Sequence, residues 1–98
     1  MKRCLKIKVT GKVQGVFYRE FAQKSAQTLQ IEGTAQNMED GSVLIHVCGP
    51  SDKLDDFIDD LYKGSKQSKV DDIETEPLIQ EKDFRGVFRI IGVNNRNK

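Results

Sequence analysis

The segment GPSDKLDDFIDDLYKG, residues 49–64, limits the possible folds more than any other stretch of the chain. It places Leu54, Phe57, Ile58 and Leu61 at i, i+3, i+4 and i+7, opens on Pro50 and Ser51, and closes on Gly64. That spacing lines one face of an α-helix, with Ser51 as N-cap candidate and Gly64 as the stop. Upstream, Tyr18, Phe21, Ala22, Ser25, Ala26 and Leu29 form a second helical stripe, with Glu20, Gln23, Lys24 and Gln27 opposite. Each helix has a single apolar face, so both must be laid against a broad apolar surface.

Period-two segments supply that surface. Leu5, Ile7 and Val9 alternate with Cys4, Lys6, Lys8 and Thr10, the pattern of a half-buried strand. Residues 31–37 and 43–49 flank MEDG, whose Asp40-Gly41 pair is a strong hairpin signal, and Val43, Ile45 and Val47 share one face. Further strands are expected over residues 70–78, where Asp71 and Asp72 interrupt the pattern, and over 84–93. The order is β-α-β-β-α-β with a short extra strand at the end. The expected fold is therefore α+β: a ferredoxin-like split β-α-β sandwich, an antiparallel sheet with two helices on one face and the other face open. Right-handed crossovers leave a gap between the first and second strands, which the third fills. Those two strands then run parallel and end at one edge of the sheet.

The 98 residues are expected to form a single domain, 1–98, with a polar tail NNRNK at 94–98. Sixteen basic residues face fifteen acidic ones, so there is no broad electrostatic footprint for nucleic acid or anionic lipid, and any anion site must be local. MKRCLKIKVTG lacks the long apolar core of a signal peptide or membrane span, which predicts a soluble, cytoplasmic protein without membrane partners, here expected to be a monomer. An RNA-recognition domain of the same element order needs aromatics on the exposed face of its third strand. SVLIHVCG offers Leu44, His46 and Cys48 instead. His46 reads as a surface residue, Phe57, Phe84 and Phe88 as packing, and the carboxylates of DDFIDD as solvated.

Cys4 and Cys48 have no C-x-x-C spacing, so neither a metal cluster nor a disulfide framework is indicated. Both fall in phase with the open face, the start of the first strand near the end of the third. Cross-strand Cβ atoms sit about 4.5–5.5 Å apart, longer than a relaxed disulfide prefers. Two free thiols are expected in a reducing cytosol.

One segment exceeds the needs of a turn. GKVQGVFYR, residues 11–19, carries no acidic residue, places Gly15 ahead of a helix, and puts Arg19 in that helix's first turn. Helix N-termini expose backbone N–H groups without internal partners, and the peptide dipoles there favour negative charge. Gly15 lets the backbone approach a ligand closely, and a guanidinium fork suits phosphoryl oxygens. Arg19 is a poor electrostatic choice for the helix itself, a cost that a bound anion offsets. Asn37, closing the second strand, should reach the same sheet edge.

These residues resemble a known family. GKVQGVFYR is similar to the acylphosphatase signature: a glycine, any residue, VQGV, an aromatic-rich pair and arginine. GTAQNMEDGSV resembles that family's second segment, in which an asparagine precedes an acidic-glycine hairpin. The family usually has tryptophan and arginine where this chain has Thr34 and Gln36. The resemblance implies hydrolysis of acyl phosphates to a carboxylate and inorganic phosphate, with neither metal nor cofactor. It matches the phosphate-binding arginine to Arg19 and the water-orienting asparagine to Asn37. The backbone amides of Gln14, Gly15, Val16, Phe17 and Tyr18 correspond to the phosphate cradle. The alternative is an acylphosphatase-like module that binds phosphate or carbamoyl phosphate with little turnover.

Overall fold

Branched apolar residues alternating with lysines make Lys2–Lys12 a strand, β1, in the computed structural model, which describes residues 2–79 and 83–91. Leu5, Ile7 and Val9 are buried, while Lys6 and Lys8 lie half-buried on the other face. The chain continues through α1 (Tyr18–Leu29), β2 (Glu32–Asn37), β3 (Val43–Pro50), α2 (Ser51–Lys63), β4 (Lys69–Pro77) and β5 (Phe88–Ile91). The sheet order is β4-β1-β3-β2-β5, so β3 fills the gap between β1 and β2 as the crossover rule requires.

The ferredoxin-like arrangement expected from the sequence is the one observed, with one addition. β1 pairs antiparallel with β3 and β4, and β2 with β3, but β5 joins β2 in parallel, so the sheet is mixed. This edge placement lets Phe88 reach the core, its ring 6.0 Å from that of Phe57 on α2. Residues 92 and 93 of the expected last strand, and the polar tail 94–98, lie outside the described residues.

Ile7, Val9, Ala35, Val43, Ile45 and Val47 from the sheet meet Tyr18, Ala22 and Ala26 of α1 and Leu54, Phe57 and Leu61 of α2 in one buried cluster. Truncating a ring such as Phe57 in such a core costs about 3–5 kcal/mol. The helices are also tied directly, since Ser25 Oγ donates to Asp60 Oδ2 at 2.7 Å. Asp60 is therefore half-buried between helices rather than solvated like its neighbours. Ser51 is the first residue of α2 instead of its cap; Pro50 takes the cap position, and no side chain caps that end. Gly64 ends α2 as expected.

The free-thiol expectation is overturned. Cys4 and Cys48 form a disulfide, with Cα atoms 4.1 Å apart. They are directly paired across β1 and β3, and the carbonyl of Cys4 accepts from the N–H of Leu78 on the β4 side. Cys4 therefore turns its hydrogen-bonding groups away from β3. The pair with Cys48 is the narrow, non-hydrogen-bonded kind, in which the strands approach most closely. An average cross-strand distance misses that alternation. His46 is placed as expected on the open face, in register between Lys6 and Thr34.

Candidate active site

The site begins where β1 runs out. Val13 and Val16 are buried and anchor residues 13–17, while Gly15 and Phe17 arch outward. Both adopt left-handed backbone conformations, φ 72° at Gly15 and φ 62° at Phe17. Glycine does so at no steric cost, but a side chain there costs about 1–2 kcal/mol. Phe17 occupies the N-cap position of α1, and no side chain caps the helix. Its carbonyl accepts the first helical bond, from the N–H of Phe21 at 3.0 Å. Among the described residues, the N–H groups of Gly15, Val16, Phe17, Tyr18 and Arg19 donate to no turn carbonyl. A run of unspent donors at a helix N-terminus is a setting for an anion.

Three side-chain bonds hold this arch. Gln14 Nε2 donates to the carbonyls of Met38 and Ser42, at 2.8 and 2.9 Å, and fastens the loop to the β2–β3 hairpin. Ser65 Oγ donates to the Val16 carbonyl at 2.7 Å. Tyr18, almost wholly buried, donates its hydroxyl to the Leu61 carbonyl at 2.8 Å, and burial pushes its phenol above the ordinary tyrosine range. Tyr18 is thus a structural hydrogen-bond donor that stays protonated. The side chains of Gln14 and Val16 brace the loop; what these residues can offer an anion is their backbone.

Arg19 follows in the first turn of α1. Its Nη1 donates to the Ile91 carbonyl at 3.0 Å, which leaves most of the five guanidinium N–H groups for other acceptors. One turn further on, Gln23 Nε2 donates to the Phe88 carbonyl at 2.9 Å, so α1 grips β5 at two points. Asn37 stands at the end of β2, opposite Val43 in the hairpin. Its Oδ1 is buried and has no donor among the described residues. Such an acceptor costs about 1–3 kcal/mol when left unpaired.

Val13, Gly15, Phe17, Tyr18, Arg19, Glu20 and Asn37 together line a cleft of about 290 Å³. The parallel run of β1 and β2 thus brings Arg19 and Asn37 to one depression, 18 residues apart in the chain. Gln14 and Val16 do not line it. A cleft of about 420 Å³ lies beside the hairpin, lined by Lys8, Met38, Glu39, Asp40, Ser42 and Leu44. Its charges are spent on each other: Lys8 Nζ lies 3.2 Å from Asp40 Oδ2, and Asp40 Oδ1 accepts from both the N–H and Oγ of Ser42. The Ser42 bonds, then Lys8, hold the Asp40 carboxyl down at about 2. The smaller cleft keeps its donors and its acceptor available, which favours it as the reactive site.

A sequence model described as Acylphosphatase matches residues 5–90. The chain belongs to the acylphosphatase family. It is an enzyme. A protein named acylphosphatase from Clostridium acetobutylicum is 42% identical over 91 residues, covering 90% of this chain and 99% of that one. Another of that name, from Legionella pneumophila, is 41% identical over 78 residues, covering 80% and 86%. The crystal structure of acylphosphatase from Bacillus subtilis superimposes with a TM-score of 0.87 at 34% identity, covering 94% of this chain and all of that one. Sequence reasoning passed over Ser65, the Gln14 side chain and the carbonyls of Leu61 and Ile91. Backbone acceptors leave no residue-type signal, and a lone serine after a helix stop looks like any other turn serine.

Proposed function

We propose that this acylphosphatase-family enzyme hydrolyses acyl phosphates, with Arg19 and the amides of residues 14–18 holding the phosphoryl oxygens and Asn37 orienting the attacking water. The observation that carries the reading is the buried, donor-less Oδ1 of Asn37 in the same cleft as the guanidinium of Arg19. A carbonyl oxygen in that position accepts an O–H from water and leaves the water's lone pairs free to face phosphorus.

The chemistry suits so sparse a site. Phosphoryl transfer through a loose transition state asks for positioning and charge stabilisation. Water forms the new P–O bond as the bond between phosphorus and the acyl oxygen breaks. The departing electron pair stays on a carboxylate, whose conjugate acid has a pKa of about 4 by analogy with Asp and Glu. No general acid is needed. An amide cannot keep the water's proton, which passes to a phosphoryl oxygen. Tyr18, buried and committed to Leu61, takes no part in the proton transfer.

Phosphate release from benzoyl phosphate tests the reading. Arg19→Ala and Asn37→Ala should each lose most turnover while the far-ultraviolet circular dichroism stays native. Undiminished turnover in either variant removes that residue from the mechanism.

A further inference from the structure

The phosphoryl half of the substrate is accounted for by the proposed site; the acyl half is not. In-line displacement sends the leaving carboxylate out on the side of phosphorus opposite the attacking water, and hence away from Asn37. Three lining residues of the cleft are large and apolar enough to receive it: Val13, Phe17 and Tyr18. Val13 and Tyr18 are each only 1% exposed and give a ligand almost no surface, whereas Phe17 is 69% exposed. An aromatic ring left open to water costs apolar contact, and this one is held out by a residue in the left-handed region, a conformation glycine would adopt without strain. The neighbouring position contributes open space: a side chain built at Gly15 would meet nothing within 4 Å.

We infer that the ring of Phe17 is the acyl-group subsite, and that this enzyme selects acyl phosphates with aromatic or other apolar, uncharged acyl groups. The inference rests on the proposed phosphoryl site. Its backbone N–H faces the phosphoryl group and its ring the leaving group, so one residue reads both halves of the substrate. Glu20 lines the same cleft and is exposed. Its carboxylate repels an acyl group carrying a negative charge of its own, which sharpens the preference for uncharged ones. Among the lining residues no cation other than Arg19 is present to recruit such a charge.

The test is the ratio of kcat/KM for benzoyl phosphate to that for acetyl phosphate, two substrates that share the phosphoryl group and differ in the acyl group. Phe17→Leu and Phe17→Ala should lower this ratio about 3- to 10-fold, the size of a stacked aromatic contact on an open surface. Phe17→Trp should hold the wild-type ratio or raise it. All three keep a side chain on the left-handed backbone, so a general distortion of the loop would depress both substrates together and leave the ratio unmoved. A ratio that is the same in wild type, Leu, Ala and Trp forms overturns the inference while leaving the phosphoryl site standing. A wild-type protein that turns over neither substrate defeats the proposed hydrolysis, and the acyl subsite with it.

Discussion

The guanidinium of Arg19 is fastened by Nη1 to the carbonyl oxygen of Ile91, 72 residues away, at 3.0 Å. A cation in the first turn of α1, where the helix dipole is unfavourable to it, is thereby held at the edge of β5 rather than swinging into solvent. Ile91 lies opposite Gln36 in the parallel β2–β5 pair, one residue before Asn37. The strand added beyond the four-stranded core thus orients the charged half of the site next to the amide half.

Lysine at position 19 should not rescue activity. An ammonium lacks the planar fork that can bind the Ile91 carbonyl and phosphoryl oxygens at once. Arg19→Lys is expected to lose about 100-fold in kcat/KM, in the range set by removing one transition-state donor. Steady-state kinetics with benzoyl phosphate, beside a native circular dichroism spectrum, measures it.

Gln14 is expected to matter through position. Gln14→Glu sets a carboxylate against the two carbonyl oxygens that now accept from Nε2, and Gln14→Leu leaves both without that donor. Each should destabilise by about 1–3 kcal/mol in urea melts. The KM for acyl phosphate should rise as well, because the cradle loses its tie to the hairpin bearing Asn37.

The Cys4–Cys48 bridge spans 44 residues of sequence. Chain-entropy arithmetic for a loop of that length gives about 4 kcal/mol, an upper figure for its contribution. Protein purified without reductant should be two protons lighter than the reduced chain, and dithiothreitol or Cys4→Ser should lower the urea midpoint. Turnover under native conditions should change less than twofold, because the bridge lies near the start of β1 and the catalytic loop follows its end. A chain at full reduced mass would refute the bridge.

Asp40 gives the hairpin an acid dependence. Its carboxyl titrates at about 2 in the folded protein, mainly through the Ser42 bonds, against about 3.9 in an unfolded chain. The folded state binds this proton less readily, so the stabilisation is complete above about pH 5 and is lost as pH falls through 4 toward 2. Asp40→Asn removes the effect: its stability profile over that window should be flatter than the wild type's. A carboxyl titration followed by NMR with its midpoint near 4 would contradict it.

Tyr18→Phe separates packing from chemistry. It leaves the Leu61 carbonyl without its 2.8 Å donor in a buried setting, which should cost about 1–3 kcal/mol in thermal unfolding. The alkaline limb of the pH–rate profile should not move, since the phenol takes no part in proton transfer.

What the sequence determined by itself was everything written in short-range periodicity. Leu54, Phe57, Ile58 and Leu61 dictate α2, the alternation around Leu5, Ile7 and Val9 dictates β1, and Asp40-Gly41 dictates the hairpin, because each rests on neighbours within a turn or a pleat. Chirality then leaves one economical topology, and topology brings Arg19 and Asn37 to one edge. Tertiary structure alone decided the rest: the narrow pairing that joins Cys4 to Cys48, the parallel docking of β5, and the grip of Gln14, Ser65 and Ile91 on the loop. These contacts join residues 24 to 72 positions apart, and most of them end on backbone carbonyls, which every residue possesses. The left-handed turn at Phe17 belongs with them, because an L-residue adopts it only where the surrounding packing offsets the cost.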